Sequence, residues 1–426
     1  MIIHVVKPGD SIYTIARQYR VLPAQIIRDN ELTNPNQLVV GQTIVIIEGE
    51  RLHTVKPGES LYSIARTYGL SVNDIIAANP QVVNPYQLYP GQVLTIPPRT
   101  RKRRAIEVNG YAFPNIDREV LRKTLPNLTY LSIFSYEVNP DGTLRPIEDE
   151  PLIQAARAAG VAPLMVITNL EAGGGFSSDV ARAILSNEQV QETLISNVIT
   201  TLQNKNYHGL DIDFEYIYPE DREKYNDFLR KVSSRLHALG YTVTTALAPK
   251  TSAEQQGILY EAHDYPVHGA LVDHVILMTY EWGYTYSPPM AVAPINEIRK
   301  VLNYAVSAIP RAKILMGIPN YGYNWTLPYE RGTRATAISN TGAVNLALRE
   351  GAAIQYDQKS QAPYFNYYDD AKKQHEVWFE DARSIQAKLN LMEEYNLGGV
   401  SYWTIARYFP QNWLVLNALY DVEKVL

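Results

Sequence analysis

His208-Gly209-Leu210-Asp211-Ile212-Asp213-Phe214-Glu215-Tyr216 alternates apolar and acidic side chains with a period of two. That is the period of a β-strand. Leu210, Ile212 and Phe214 therefore face one side, and Asp211, Asp213 and Glu215 the other. On an antiparallel sheet the acidic side could simply be wet. In a parallel barrel both faces of a strand are covered, one by helices and one by the lumen. Three carboxylates on the lumen face are costly unless protonated or hydrogen-bonded, and their mutual repulsion raises at least one pKa. A raised pKa suits a general acid working near neutral pH.

The flanking sequence supports the barrel. Strand-like segments recur at Ala105–Phe113, Thr129–Val138, Ala162–Thr168, Gly209–Tyr216, Thr242–Ala248, His274–Trp282, Lys313–Asn320 and Gly399–Thr404. Amphipathic helices between them include Val190–Gln203, Glu220–Leu239, Ile295–Ala308 and Ala382–Tyr395. This alternation is that of an α/β chain folded as a (β/α)8 TIM barrel. The stretch from Tyr323 to Val377 is too long for an ordinary loop and reads as a small α+β insertion after strand seven. Glu215 stands nearest the C-terminal end of its strand, the side where barrel active sites form.

The N-terminal quarter is a repeat. His4-Val5-Val6-Lys7-Pro8-Gly9-Asp10-Ser11-Ile12-Tyr13 returns as His53-Thr54-Val55-Lys56-Pro57-Gly58-Glu59-Ser60-Leu61-Tyr62. Each copy reads strand, helix, helix, strand, with Asp10-Ser11 or Glu59-Ser60 starting a helix by N-terminal capping. The domain reading is residues 1–48 and 49–98 as two βααβ modules, 99–104 as a basic linker, and 105–426 as the barrel with its insertion at about 323–377.

Composition narrows the classes. The chain has 426 residues and no cysteine, which excludes disulfides, thiolate catalysis and cysteine-based zinc sites. A net charge of −5 gives no reason to expect nucleic acid as a partner. The first residues show no basic segment followed by a long apolar run, so no Sec signal peptide is expected. No run approaches the roughly 18 apolar residues that cross a bilayer, so no membrane insertion is expected. No His/Asp cluster has metal-ligand spacing, and no cofactor or metal is expected; a monomer is the expected state.

The two repeats resemble LysM modules, which bind glycans containing N-acetylglucosamine. The acidic strand resembles the signature Asp-Gly-x-Asp-x-Asp-x-Glu of glycoside hydrolase family 18. Gly209, Asp211, Asp213 and Glu215 match it, whereas His208 replaces the first Asp and Phe214 stands where Trp is common. Met278-Thr279-Tyr280-Glu281 resembles the family's sixth-strand motif, with Glu281 where Asp or Asn is usual. Gly317-Ile318-Pro319-Asn320-Tyr321 and Gly399-Val400-Ser401-Tyr402-Trp403 resemble strands seven and eight.

The resemblance implies substrate-assisted retaining hydrolysis, an exception to the usual two-carboxylate scheme. Glu215 would protonate the glycosidic oxygen, and the substrate's own 2-acetamido oxygen would attack the anomeric carbon. Asp213, supported by Asp211, would hold the acetamide N–H, and Tyr280 would position its oxygen. Trp403, Tyr111, Met278, Glu281 and Tyr321 would contact sugar. The combined architecture resembles bacterial spore cortex-lytic N-acetylglucosaminidases, implying peptidoglycan as partner and a spore or cell-wall location. A chitinase and a non-catalytic peptidoglycan-binding coat protein are the alternatives.

Overall fold

Eight parallel strands close on themselves. In the computed structural model they run Ala105–Ala112, Tyr130–Glu137, Ala162–Thr168, Gly209–Asp213, Thr242–Leu247, His274–Leu277, Ile314–Pro319 and Gly399–Trp403. Each pairs with the next in parallel register, and strand eight pairs with strand one to close the ring. Residues 1–49, 51–82, 84–98, 102–171 and 173–426 are described. Linker residues 99–101 lie outside them.

The strands are buried along nearly their whole length, as a parallel sheet covered on both faces requires. Tyr111, Phe134, Val166, Ala246, Ile276 and Leu315 form one apolar cluster drawn from strands one, two, three, five, six and seven. Residues from so many strands meet only in the lumen, which fixes the inward-facing set. The insertion follows strand seven as a five-stranded antiparallel sheet spanning Tyr321–Trp378, with helix Asn340–Arg349 between its strands.

Strands four and six fall furthest short of the lengths that the sequence predicts. Strand four stops at Asp213, and strand six stops at Leu277 rather than Trp282. After Leu277 the backbone tightens, with Thr279 N–H donating to Leu277 O (2.8 Å) and Tyr280 N–H to Met278 O (2.8 Å). Alternation alone cannot register such turns, because their residues keep the apolar and aromatic character of a strand.

The chain forms two compact units: residues 1–104 with 410–421, and residues 105–409 with 422–426. The sequence reading gave 410–421 to the barrel. In the first unit the repeats have matching frames, Ile2–Val5 paired with Thr43–Ile46 and Arg51–Thr54 paired with Val93–Ile96. Ser11 and Ser60 each cap a helix through a reciprocal capping box. Asn30 and Asn79 are buried and tie the second helix to the closing strand, Asn30 through Val45 (2.8 Å) and Asn79 through Thr95 (2.7 and 2.8 Å). Each module has its own apolar core, around Ile15 and Ile26 in one and Ile64 and Ile75 in the other.

Candidate active site

Gly209 allows strand four to lie close against strand five. A Cβ there would stand 2.3 Å from Thr242 O, so any larger residue would push the strands apart. Beyond it Asp211 and Asp213 point inward, and the chain then leaves the sheet. Glu215 is held by a side chain instead of a strand: Asn169, one residue past strand three, accepts from Glu215 N–H (2.9 Å) and donates to Glu215 O (2.8 Å). This two-point clamp continues the ladder where the ladder has ended. Tyr216 follows with φ 54°, turning the chain away.

The three carboxylates form a graded series. Asp211 is fully buried and accepts from Tyr111 Oη (2.7 Å) and Ser132 Oγ (3.1 Å). Burial pushes its pKa up to about 6, against the pull of those two donors and of His274. Asp213 is raised well above the ordinary carboxylate range, by burial first and then by the charges of Glu215 and Asp211. Glu215 is pushed up to about 7, by burial and then by Glu281. Loss of water raises all three, and repulsion adds to it at the two outer positions.

Asp213 and Glu215 open into a cavity of about 470 Å³ whose wall includes Tyr111, Met278, Tyr280, Glu281 and Trp403. Among the described residues no Lys or Arg lines it. Trp403 lies 4.9 Å from the Phe134 ring and 5.3 Å from the Tyr111 ring, centroid to centroid, both edge-on. Edge-on neighbours hold the indole in place while leaving it on the cavity wall. Tyr280 is half-buried, its hydroxyl held strongly protonated by loss of water around it and by the charge of Asp213. Among the described residues no group of acidic and histidine side chains could hold a metal ion.

The structure brings eight of the nine sequence-predicted site residues to this cavity or directly behind it, and sets Tyr321 further back. Tyr321 is buried and donates to Glu281, as does Tyr323 (3.1 Å), so these tyrosines anchor an acid on the wall. Glu281 has φ 66°, and its pKa is raised, by burial against the two tyrosine hydrogen bonds. Sequence reasoning missed Asn169, Ser132, Phe134 and Tyr216. Asn169 left one trace, a polar residue at the C-terminal end of strand three.

Known proteins resemble this chain in sequence and in fold. The model for glycosyl hydrolases family 18 matches residues 115–407, and the LysM model matches residues 4–46 and 53–97. The chain belongs to glycosyl hydrolases family 18 and is preceded within its own sequence by two LysM domains. It is 45% identical to the cortical fragment-lytic enzyme of Bacillus subtilis, covering 100% of this chain and 99% of that protein. The cortical fragment-lytic enzyme of Bacillus anthracis is 42% identical, with 98% of each covered. The crystal structure of the spore cortex-lytic enzyme SleL of Bacillus megaterium superposes with a TM-score of 0.88 at 45% identity, covering 100% of this chain and 99% of that one.

Proposed function

We propose that this glycoside hydrolase cleaves β-1,4 bonds beside N-acetylglucosamine in spore-cortex peptidoglycan fragments, with its LysM domains holding the glycan. The observation that carries the reading is the acid series that runs from fully buried Asp211 through buried Asp213 to half-buried Glu215, its outer two members opening into an aromatic cavity. Full-length similarity to cortical fragment-lytic enzymes supports the substrate class and a spore location. Among the described residues no helix is long and apolar enough to cross a membrane.

Glu215 is the acid that protonates the departing oxygen, and its pKa of about 7 keeps a large share of it protonated at neutral pH. Asp213 accepts the acetamide N–H and balances the positive charge that grows on the sugar. Tyr280, held protonated, donates to the acetamide oxygen as that oxygen approaches the anomeric carbon. Glu215 then takes a proton from the incoming water, and the configuration is retained. Asp211 is a reserve for the proton that Asp213 carries. Trp403 is the floor on which the sugar ring stacks.

Mass spectrometry of digested cortex fragments tests the reading. New reducing ends on N-acetylglucosamine are expected. New reducing ends on the muramyl sugar, or turnover of chitin oligomers with cortex fragments untouched, would reject it.

A further inference from the structure

The lumen has a second polar cluster at its opposite end. His274, the first residue of strand six, pairs with Glu107 of strand one at 2.9 Å. Strands six and one are not neighbours in the ring, so this contact crosses the lumen. Tyr130 of strand two donates to the other oxygen of Glu107 (2.9 Å) and sets its ring 5.1 Å from the imidazole of His274. His208, at the position where the family motif has Asp, also neighbours Tyr130, 6.3 Å ring to ring.

This floor cluster is in register with the acidic series. Asp211 pairs with Thr244 of strand five, and Thr244 pairs with His274. Register partners on parallel strands point to the same face, so all three project into the lumen, on three successive strands that step from the inner acid toward the floor. Asp211 and Thr244 are at most 1% exposed, and His274 is 9% exposed. Each keeps one buried polar atom with no hydrogen-bond partner among the described residues: Asp211 Oδ1, Thr244 Oγ1 and His274 Nδ1. Buried polar atoms are rarely left unpaired, and a donor, an acceptor and a hydroxyl on adjacent strands are what one enclosed water satisfies.

We infer that Asp211 Oδ1, Thr244 Oγ1 and His274 Nδ1 bind a single lumen water, and that through it His274 and Thr244 act as positioning residues for the inner acid of the catalytic series. Glu107 holds Nε2 of His274, which leaves Nδ1 as the ring nitrogen for the water. The charge of His274 favours the ionised form of Asp211. The inner acids therefore resist taking up a second proton as pH falls. Other charged or titratable groups around the floor are Asp273 beside His274, His208 with Arg157, Glu423 and Lys313. The role rests on the hydrolase reading above; the water does not.

Two measurements test it. A crystal structure of the unliganded protein is expected to show a water within about 3 Å of all three atoms, and the isosteric Thr244→Val protein is expected to lack it. The pH profile of kcat on soluble fragments is the second. In His274→Gln the acid limb should move to higher pH by about half a unit or more, and in Thr244→Val by a smaller amount in the same direction. A purely structural role would lower kcat equally at every pH and leave the limb in place, which overturns the coupling. A dry site with an unmoved limb overturns the whole proposal. If His274→Gln does not fold, Thr244→Val carries the test alone. Because the crystal structure needs no substrate, failure of this site is distinguishable from failure of the cortex reading.

Discussion

The LysM domains and the barrel use acidic side chains in opposite ways. In the first module His4 bridges Tyr19 and Asp10 at 3.0 Å each, and Asp10 also accepts from Lys7 N–H (2.7 Å). The second module repeats this with His53, Tyr68 and Glu59. Asp10 and Glu59 are lowered from ordinary carboxylate values, chiefly by those backbone donors. In the barrel Asp211, Asp213 and Glu215 are all raised, chiefly by burial. An acid at the surface with a donor is a fixed anion and serves structure. An acid in a dry lumen beside other acids is a proton store and serves chemistry.

The largest effect should come from Glu215→Gln. If the barrel acids are the chemistry, turnover of cortex fragments falls about a thousandfold or more while the circular dichroism spectrum is unchanged. Residual turnover within tenfold of the parent would break the contrast. Asp213→Asn should follow, with kcat reduced about a hundredfold and KM changed much less, since the carboxylate acts mainly as positive charge develops.

The modules predict a different failure. Tyr13 and Tyr62 occupy equivalent repeat positions and are 68% and 69% exposed. Replacing both with Ala should weaken retention on intact cortical sacculi several-fold in a pelleting assay, with hydrolysis of soluble fragments unchanged. Equal losses on both substrates would merge the two regions into one function.

Smaller still is the effect of Glu281. Its charge helps hold Glu215 at about 7, and Glu215 must be protonated to act, so activity declines as pH rises through that value. Glu281→Gln should let the Glu215 pKa fall and move the alkaline limb of kcat to lower pH, by about half a unit. A limb that stays put or moves upward contradicts this assignment. The weakest effect belongs to Asp10. Its folded pKa is depressed, so its contribution is present above its unfolded value and lost as pH falls through the folded one. Asp10→Asn should lower the thermal midpoint of the first module slightly at neutral pH, and the difference should vanish in acid.

Much of this was legible in the sequence, for physical reasons. The period-two acid series declares itself because burial on both faces leaves a charged lumen side no bland explanation. The repeat is visible because His4, Asp10, Asn30 and their counterparts His53, Glu59 and Asn79 each satisfy a specific backbone or side-chain partner. What stayed hidden depends on closure of the ring. Asn169 meets Glu215, Ser132 meets Asp211, and Glu107 meets His274 only once distant segments are brought together. Tyr321 shows the converse: a tyrosine in a recognisable motif, which the fold turns toward Glu281.

The stereochemistry of the first product tests the central claim most directly. Proton NMR of wild-type protein acting on a soluble cortex oligosaccharide should show the β-anomer of the new reducing end appearing first, with the α-anomer growing only as the sugar mutarotates. An α-anomer formed first would mean direct attack by water. It would contradict a mechanism in which Glu215 supplies the proton and the substrate's own acetamide, held by Asp213, supplies the nucleophile.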